Sequence, residues 1–176
     1  MLLLAACSGA PPATYDLNAP ETGFAHRSGR GQLVVYEPTS TQPIDSTRIV
    51  IRTGAEAIAY LTGAQWSEPV PRLVQARLIE SFENSRLLRA VGRPGLVADY
   101  SLQTDIRHFE VDVARRAAFV EISAKILDVR GRIVSTQVFS ATVPAERDNG
   151  PTVTAALDTA LAKVLRSIVD WTAPKV

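Results

Sequence analysis

The 176-residue chain holds one cysteine and two histidines. A lone cysteine, Cys7, excludes an internal disulfide framework and any multi-cysteine zinc site. His26 and His108 stand far apart in sequence and leave little from which to build a metal centre. Neither sign of charge is in excess, since 19 basic residues face 18 acidic ones for a formal charge of +1. Nucleic-acid binders carry a basic excess or stripe, so that partner class is set aside. No apolar run reaches the ~18 residues that a membrane-spanning helix needs. The chain has no Gly-x-Ser-x-Gly elbow, and nothing in it reads as an activated serine or cysteine beside a histidine and an orienting carboxylate. Gly29-Arg30-Gly31 is too short to cradle phosphate, with no strand before it and no Gly-Lys-Ser/Thr after it.

What is present fits one α+β domain. Hydrophobic residues make up 46% and charged residues 21% of the chain, enough at this length to bury a real core. Residues 46–83 organise the rest. Arg48-Ile49-Val50-Ile51-Arg52 is a β-branched run flanked by charge, which suits a half-buried strand. Thr53-Gly54 breaks it, and Ala57 to Leu61 form a second apolar strand closed by Gly63. Ser67-Glu68-Pro69-Val70-Pro71 reads as a helix entrance, with Ser67 as the cap and proline confined to the first turn. Beyond it Val70, Val74, Leu78 and Phe82 recur every fourth residue, one stripe of a buried helix face.

Around this centre, Gln32 to Tyr36 form a short strand ended by Glu37-Pro38, and Leu87 to Val91 another before the turn cluster Gly92-Arg93-Pro94-Gly95. Residues 97–143 predict a three-stranded antiparallel meander. Its first strand is inward at Leu102, Thr104 and Ile106, then at Phe109, Val111 and Val113; the change of phase at Arg107-His108 predicts a bulge. Ala118, Val120, Ile122, Ala124 and Ile126 then alternate with a wet side of Glu121, Ser123 and Lys125. Asp128 to Arg132 is a hairpin with glycine where positive φ is expected. The returning strand runs from Ile133 to Val143. A last helix opens at Asn149-Gly150-Pro151-Thr152, buries Val153, Leu157, Ala160, Leu161, Val164, Leu165, Ile168 and Trp171, and turns Asp158, Lys163, Arg166 and Asp170 outward. These patterns predict a mostly antiparallel sheet of five or six strands with two amphipathic helices on it, spanning residues 32–173.

The first residues carry a different signal. Leu4-Ala5-Ala6-Cys7 resembles the lipobox of bacterial lipoproteins, in which small residues give a peptidase access and the cysteine thiol takes a diacylglycerol. Acyl chains supply membrane affinity at ~0.8 kcal/mol per buried methylene. Only six residues precede Cys7, fewer than a basic n-region and an apolar stretch require, so residues 1–7 predict a truncated signal peptide. Residues 8–31, rich in Gly, Ser, Ala and Pro, have the composition of a flexible tether.

The remaining candidates are weighed on chemistry. His108 reads as a half-exposed strand histidine. Asp105, Glu110 and Asp112 read as solvated carboxylates on a strand's wet side rather than an acid pair. Asp99 lies among apolar neighbours, and burial there would call for a partner, with Arg48 or Arg52 as candidates in a structural role. Tyr60, Trp66 and Trp171 read first as core aromatics and second as the lining of a lipid- or partner-binding groove. Arg115-Arg116 reads as a solvated tip.

Taken in order, Tyr15-Asp16-Leu17 after a lipobox, Arg48-Ile49-Val50-Ile51, Tyr60, Ala64-Gln65-Trp66 with Pro69 and Pro71, Ala98-Asp99-Tyr100-Ser101-Leu102 with Ile106 and Phe109, Leu127 to Gly131 and a final helix ending near Trp171 resemble the PqiC-like ABC-type transport auxiliary lipoproteins. The resemblance covers nearly the whole mature chain. It implies a periplasm-facing lipoprotein without catalytic residues or cofactors, held by Cys7 at the inner leaflet of the outer membrane. It also implies work beside an MCE-domain (MlaD-like) protein with an ABC permease and ATPase, and assembly of some members as homo-oligomeric rings. Ser8 after the cysteine agrees with outer-membrane sorting. Two other readings stay open: a stand-alone envelope lipid-binding or outer-membrane assembly lipoprotein, and an enzyme on a lipid anchor.

Overall fold

The computed structural model describes residues 10–25 and 27–176; Cys7, its flanking residues and His26 lie outside them. The elements in chain order are β1 (Ala13–Tyr15), β2 (Gln32–Val35), β3 (Thr39–Ser40), β4 (Arg48–Arg52), β5 (Ile58–Trp66), α1 (Val70–Ser85), β6 (Ala90–Gly92), β7 (Tyr100–Asp112), β8 (Ala117–Asp128), β9 (Ile133–Pro144) and α2 (Gly150–Thr172), with a short 3-10 turn at Ala173–Lys175.

Strict alternation makes the long strands. Along β8 the residues Ala118, Val120, Ile122, Ala124 and Ile126 are all fully buried, and the antiparallel meander β7-β8-β9 forms as the pattern predicts. The bulge also falls where the phase changes, with the β7–β8 register slipping between Ile106 and His108. One extra residue there lets Leu102 and Ile106 below it, and Phe109 and Val111 above it, share the same core. Ser123, expected on the wet side, is only 6% exposed, because it sits between Asp105 on β7 and Val138 on β9.

The sheet is larger and more mixed than the expected five or six antiparallel strands. Among the described residues it has nine strands. On the edge of β7 away from β8, three short strands stack end to end, all parallel to it: β2 beside Tyr100 to Leu102, β3 beside Asp105 and Ile106, and β4 beside Glu110 to Asp112. Parallel β6 extends the sheet beyond β2. Antiparallel β5 and then parallel β1 extend it beyond β4. Sequence did carry a sign of this. Leu33-Val34-Val35 and Ile49-Val50 are continuous apolar runs, buried at every residue, as strands covered on both sides are. Gly63 does not close β5 but sits inside it at φ +75°. Between Arg48 and Val50 the β4–β5 register jumps, and glycine takes the left-handed conformation that this wide bulge demands.

Both helices pack on one face. The α1 stripe Val70, Val74, Leu78 and Phe82 is no more than 1% exposed, and buried Gln75 donates from Nε2 to the Val35 carbonyl at 3.0 Å. Ser67 is not the cap. Pro69 holds that position without a side-chain bond; the Val70 amide instead donates to the Ser46 carbonyl, and Pro71 has no amide to satisfy. On α2 the cap is Asn149, which accepts from the Thr152 amide at 3.1 Å. Val153, Leu157, Leu161, Val164, Leu165 and Ile168 are each at most 1% exposed, and burying such a side chain contributes about 1.5–3 kcal/mol.

The expected tether over residues 8–31 does not hold where the structure describes it. Ala13–Tyr15 pairs with Ala64 to Trp66, the Ser67 amide donates to the Tyr15 carbonyl at 2.8 Å, and Leu17 is 1% exposed in the core. The segment then crosses both helices as a strap. Asn18 donates from its amide and Nδ2 to Asp158, the Ala25 amide donates to Asp170, Arg166 Nε donates to the Thr22 carbonyl, and Asn84 Nδ2 donates to the Pro20 carbonyl. Three of the four outward charges of α2, Asp158, Arg166 and Asp170, are therefore strap partners. Farther along, a side chain on Gly29 would collide with the Ala173 and Val176 carbonyls, so glycine permits the close approach to the chain's last turn. Composition suggested a linker because a few well-spaced polar bonds and one buried leucine suffice to fix such a segment.

Two measurements follow from this strap. Leu17→Ala should destabilise the chain by about 2–5 kcal/mol in urea unfolding, whereas a tether residue would change it by under about 0.5 kcal/mol. Burial pushes the Asp16 carboxyl up, but the Leu17 amide and the Arg77 guanidinium, 3.0 Å away, outweigh it and hold the pKa below its ordinary value. Its contribution is present above the unfolded pKa of about 3.9 and is lost as pH falls through the lowered folded value. Stability measured against pH should fall less steeply below about pH 4 in Asp16→Asn than in the unsubstituted chain; identical acid limbs would contradict the tie.

Candidate functional site

The helices leave the other face of the β7–β9 meander open. On β9 the exposed Thr136, Val138, Ser140 and Thr142 point away from the helices, while Phe139 is buried on the helix side. Their neighbours across the sheet are Lys125, Ser123, Glu121 and Phe119 of β8. Two shallow grooves mark this region. One, of about 630 Å³, is lined by Tyr36, Thr39, Asp105, Arg107, Lys125 and Thr136 among others. The second, of about 620 Å³, lies beside Arg52, His108, Glu110, Phe119 and Thr142.

The second groove contains the strongest polar constellation of the face. Pairing of β4 with β7 sets Arg52 beside Asp112 in register, from where its guanidinium reaches Glu110. Arg52 Nε donates to Glu110 Oε1 at 2.7 Å and an Nη donates to Oε2 at 3.0 Å. The fork holds the Arg52 pKa above its ordinary value, as a bidentate pair with a carboxylate does. His108 Nδ1 stands 3.2 Å from the same Oε1, and its ring packs at 5.2 Å from Phe119. Glu110 is 7% exposed, so it is not the solvated carboxylate that the strand pattern suggested. With both oxygens taken by Arg52, it serves as an ion-pair member rather than a poised acid. Asp105 accepts from Thr39 Oγ1 at 2.8 Å, and Asp112 accepts from the Arg115 amide at 2.9 Å. Each of the three carboxylates thus fixes a strand pairing or a turn.

The other sequence candidates separate. Trp66 is 1% exposed and meets Phe109 edge-on, with centroids 5.9 Å apart; it is core, not groove. Trp171 meets Phe139 in the same way at 5.5 Å. Tyr60 is half-buried at the β4–β5 edge, and the Arg48 guanidinium lies 3.6 Å from its ring centroid. Arg48 is therefore a stacking partner for Tyr60 and not the counter-ion of Asp99. Asp99 itself is exposed, where its neighbours Val97 and Leu96 are exposed as well, and its Oδ2 accepts from the Gln32 amide at 2.9 Å. It aligns β2 against β7 without needing a charge partner. Arg52, considered for Asp99, finds Glu110 instead, through the direct pairing of β4 with β7. Arg115 is a solvated tip, its side chain 84% exposed. Cys7 lies outside the described residues. Among those residues no helix is long and apolar enough to cross a membrane, and no cluster of three metal-ligating side chains occurs.

The fold and the signposts that carry it have relatives. The sequence matches the family described as ABC-type transport auxiliary lipoprotein component over residues 15–169. This chain belongs to that family. The match begins at Tyr15, so the strap from that residue onward lies within it. Protein bll6063 of Bradyrhizobium diazoefficiens is 30% identical over 170 residues, covering 93% of this chain but 46% of the relative, so the chain spans about half of that protein's length. Among solved structures, protein XCC0632 from Xanthomonas campestris superposes with a TM-score of 0.84 at 30% identity, covering 92% of this chain and 95% of that one. The protein CT253 from Chlamydia trachomatis shares the fold alone, with a TM-score of 0.56 at 11% identity over 82% of this chain and 96% of that one.

The ion pair offers a direct check on its structural role. Arg52→Ala leaves Glu110 buried without its fork and should cost about 1–3 kcal/mol in urea unfolding. Arg107→Ala removes an exposed pair with Glu121 at 3.6 Å and should cost under about 0.5 kcal/mol. Equal effects would show that the Arg52 fork is solvent-screened.

Proposed function

We propose that this chain is the lipid-anchored adaptor of an MCE-linked ABC system that moves lipid between the two membranes of a bacterial envelope. The observation that carries the reading is the family match across the strap, sheet and both helices. In this reading Cys7 bears the acyl chains at the inner leaflet of the outer membrane and the domain faces the periplasm. The domain acts without turnover, through contacts with an MCE-domain (MlaD-like) protein, its permease and its ATPase.

The strap changes the geometry of such an anchor. If residues 8–31 were flexible, the domain would roam far from the bilayer. With Ala13 already hydrogen-bonded into the sheet, only the six steps from Cys7 to Ala13 remain, and at about 3.3–3.6 Å per extended residue they reach roughly 20 Å. A short leash suits an adaptor, because it limits both the height and the tilt of the docking face. The open face of the β7–β9 meander, with its grooves and uncharged β9 residues, is the surface offered to the MCE partner or to a sister subunit. Tyr60, stacked under Arg48, adds an aromatic contact at the opposite edge.

Co-purification tests the assignment. The gene is expressed with its full upstream signal and a C-terminal tag, and membranes are solubilised in detergent. Recovery of an MCE-domain protein with permease and ATPase subunits is expected, and Cys7→Ser should move the chain to the soluble fraction. A lone lipoprotein eluting with phospholipid would instead support a stand-alone carrier and overturn the transport role.

A further inference from the structure

The four most exposed large hydrophobic side chains among the described residues are Val97 at 95%, Val129 at 73%, Leu96 at 69% and Ile133 at 58%. Single exposed valines and leucines are ordinary. These four are not scattered. Leu96 and Val97 lie in the loop that enters β7, Val129 in the turn that leaves β8, and Ile133 at the start of β9. The register Tyr100 with Asp128, and Leu127 with Ile133, puts those three strand ends side by side, on neighbouring strands about 5 Å apart. One end of the sheet thus presents an apolar tip.

Arginines are interleaved with it. The loop reads Arg93-Pro94-Gly95-Leu96-Val97 and the turn reads Val129-Arg130-Gly131-Arg132-Ile133. Backbone bonds from Arg30 to Val176 and from Arg89 to Gly31 bring two further arginines to the same end. Of the carboxylates on these strand ends, Asp99 is used by the Gln32 amide, and Asp128 is forked by Arg132 at 2.8 and 2.7 Å. Arg93 and Arg130 enter none of the ion pairs among the described residues. Arg30, Arg89, Arg93, Arg130 and Arg132 outnumber Asp99, Asp128 and the Val176 carboxylate here, so the excess charge at this end is positive although the chain as a whole is nearly neutral at +1.

We propose that this tip is a second membrane contact, built by the protein itself, that docks on the surface of an anionic phospholipid bilayer. The chemistry fits that occupant on both counts. Short apolar side chains on turns enter the boundary between headgroups and acyl chains, while unpaired guanidinium groups take lipid phosphates bidentately and are drawn by the negative surface potential. The contact is distinct from Cys7 and would operate on an unacylated chain. It would add orientation to the leash, since the tip sits beyond the Tyr100 end of β7, whereas β1 pairs with β5, whose other neighbour β4 is level with the Asp112 end.

The test uses the full chain carrying Cys7→Ser, to remove acylation, and sedimentation with vesicles of phosphatidylcholine alone or mixed with phosphatidylglycerol. Binding to the mixed vesicles is expected to be at least about tenfold tighter, because each arginine near an anionic surface is worth roughly fivefold, and to weaken with added salt. Leu96→Asp with Val97→Asp should abolish binding; both positions are solvent-facing, so an unchanged thermal unfolding curve separates this from misfolding. Arg93→Glu with Arg130→Glu should remove the preference for phosphatidylglycerol. Equal sedimentation with both vesicle types, no sedimentation with either, or binding indifferent to the substitutions overturns the proposal. Failure to sediment together with capture of an acidic protein by the tip would reassign the patch to a protein partner.

Discussion

The hydrogen-bond ladder of β7 is the constraint on which the structure rests. One strand of thirteen residues is paired along its length with β8 on one edge, and with β2, β3 and β4 in succession on the other. Three short strands, separated in sequence by loops, are aligned only because one long strand gives them a common register. The bulge at His108 keeps the core face of β7 inward on both sides of the slip. The fork from Arg52 to Glu110 and the bond from the Gln32 amide to Asp99 fasten the outer members of that stack. Polar groups that looked like candidates for chemistry are the fasteners of strand register.

The strap extends the same logic toward function. Residues 13–25 join the sheet through β1, bury Leu17, and bond to the outward charges of α2. On the proposed reading, the chain transmits position from a lipid to a docking face. A strap welded to both helices does that better than a free linker, because movement of the anchor point moves the whole domain. The open face of β7–β9 and the apolar, arginine-flanked end of the sheet are then held in fixed relation to residues 13–25 and, on the proposed reading, to an anchor ahead of them.

Much of this was legible in the sequence where the signal is local and periodic. The α2 stripe, the α1 stripe from Val70 to Phe82, the alternation along β8 and the phase slip at Arg107-His108 each write their geometry into spacing alone. What escaped is set by distance in the chain. No local pattern says that Leu33 to Val35 and Val50 to Arg52 share one partner, although their unbroken apolar runs hinted at burial on both sides. Ser67 looked like a cap because its type is right, but the Ser46 carbonyl and the missing amide of Pro71 left it no such role. Asp99 looked buried because its neighbours are apolar, and those neighbours turned out to be the exposed tip. Leu17 was hidden in a stretch whose composition is that of a linker.

Amide hydrogen exchange on the full chain tests most directly whether strap and sheet are one cooperative unit. The structure predicts slowest exchange along β7, where both edges are paired, and comparable protection at Trp66 and Ser67, whose amides donate to the Thr47 and Tyr15 carbonyls at 2.7 and 2.8 Å. It further predicts clear protection of the Asn18 and Ala25 amides, which donate to Asp158 and Asp170. Exchange of residues 13–25 at the rate of an unfolded chain, with β7 still protected, would contradict the account and return that segment to a tether.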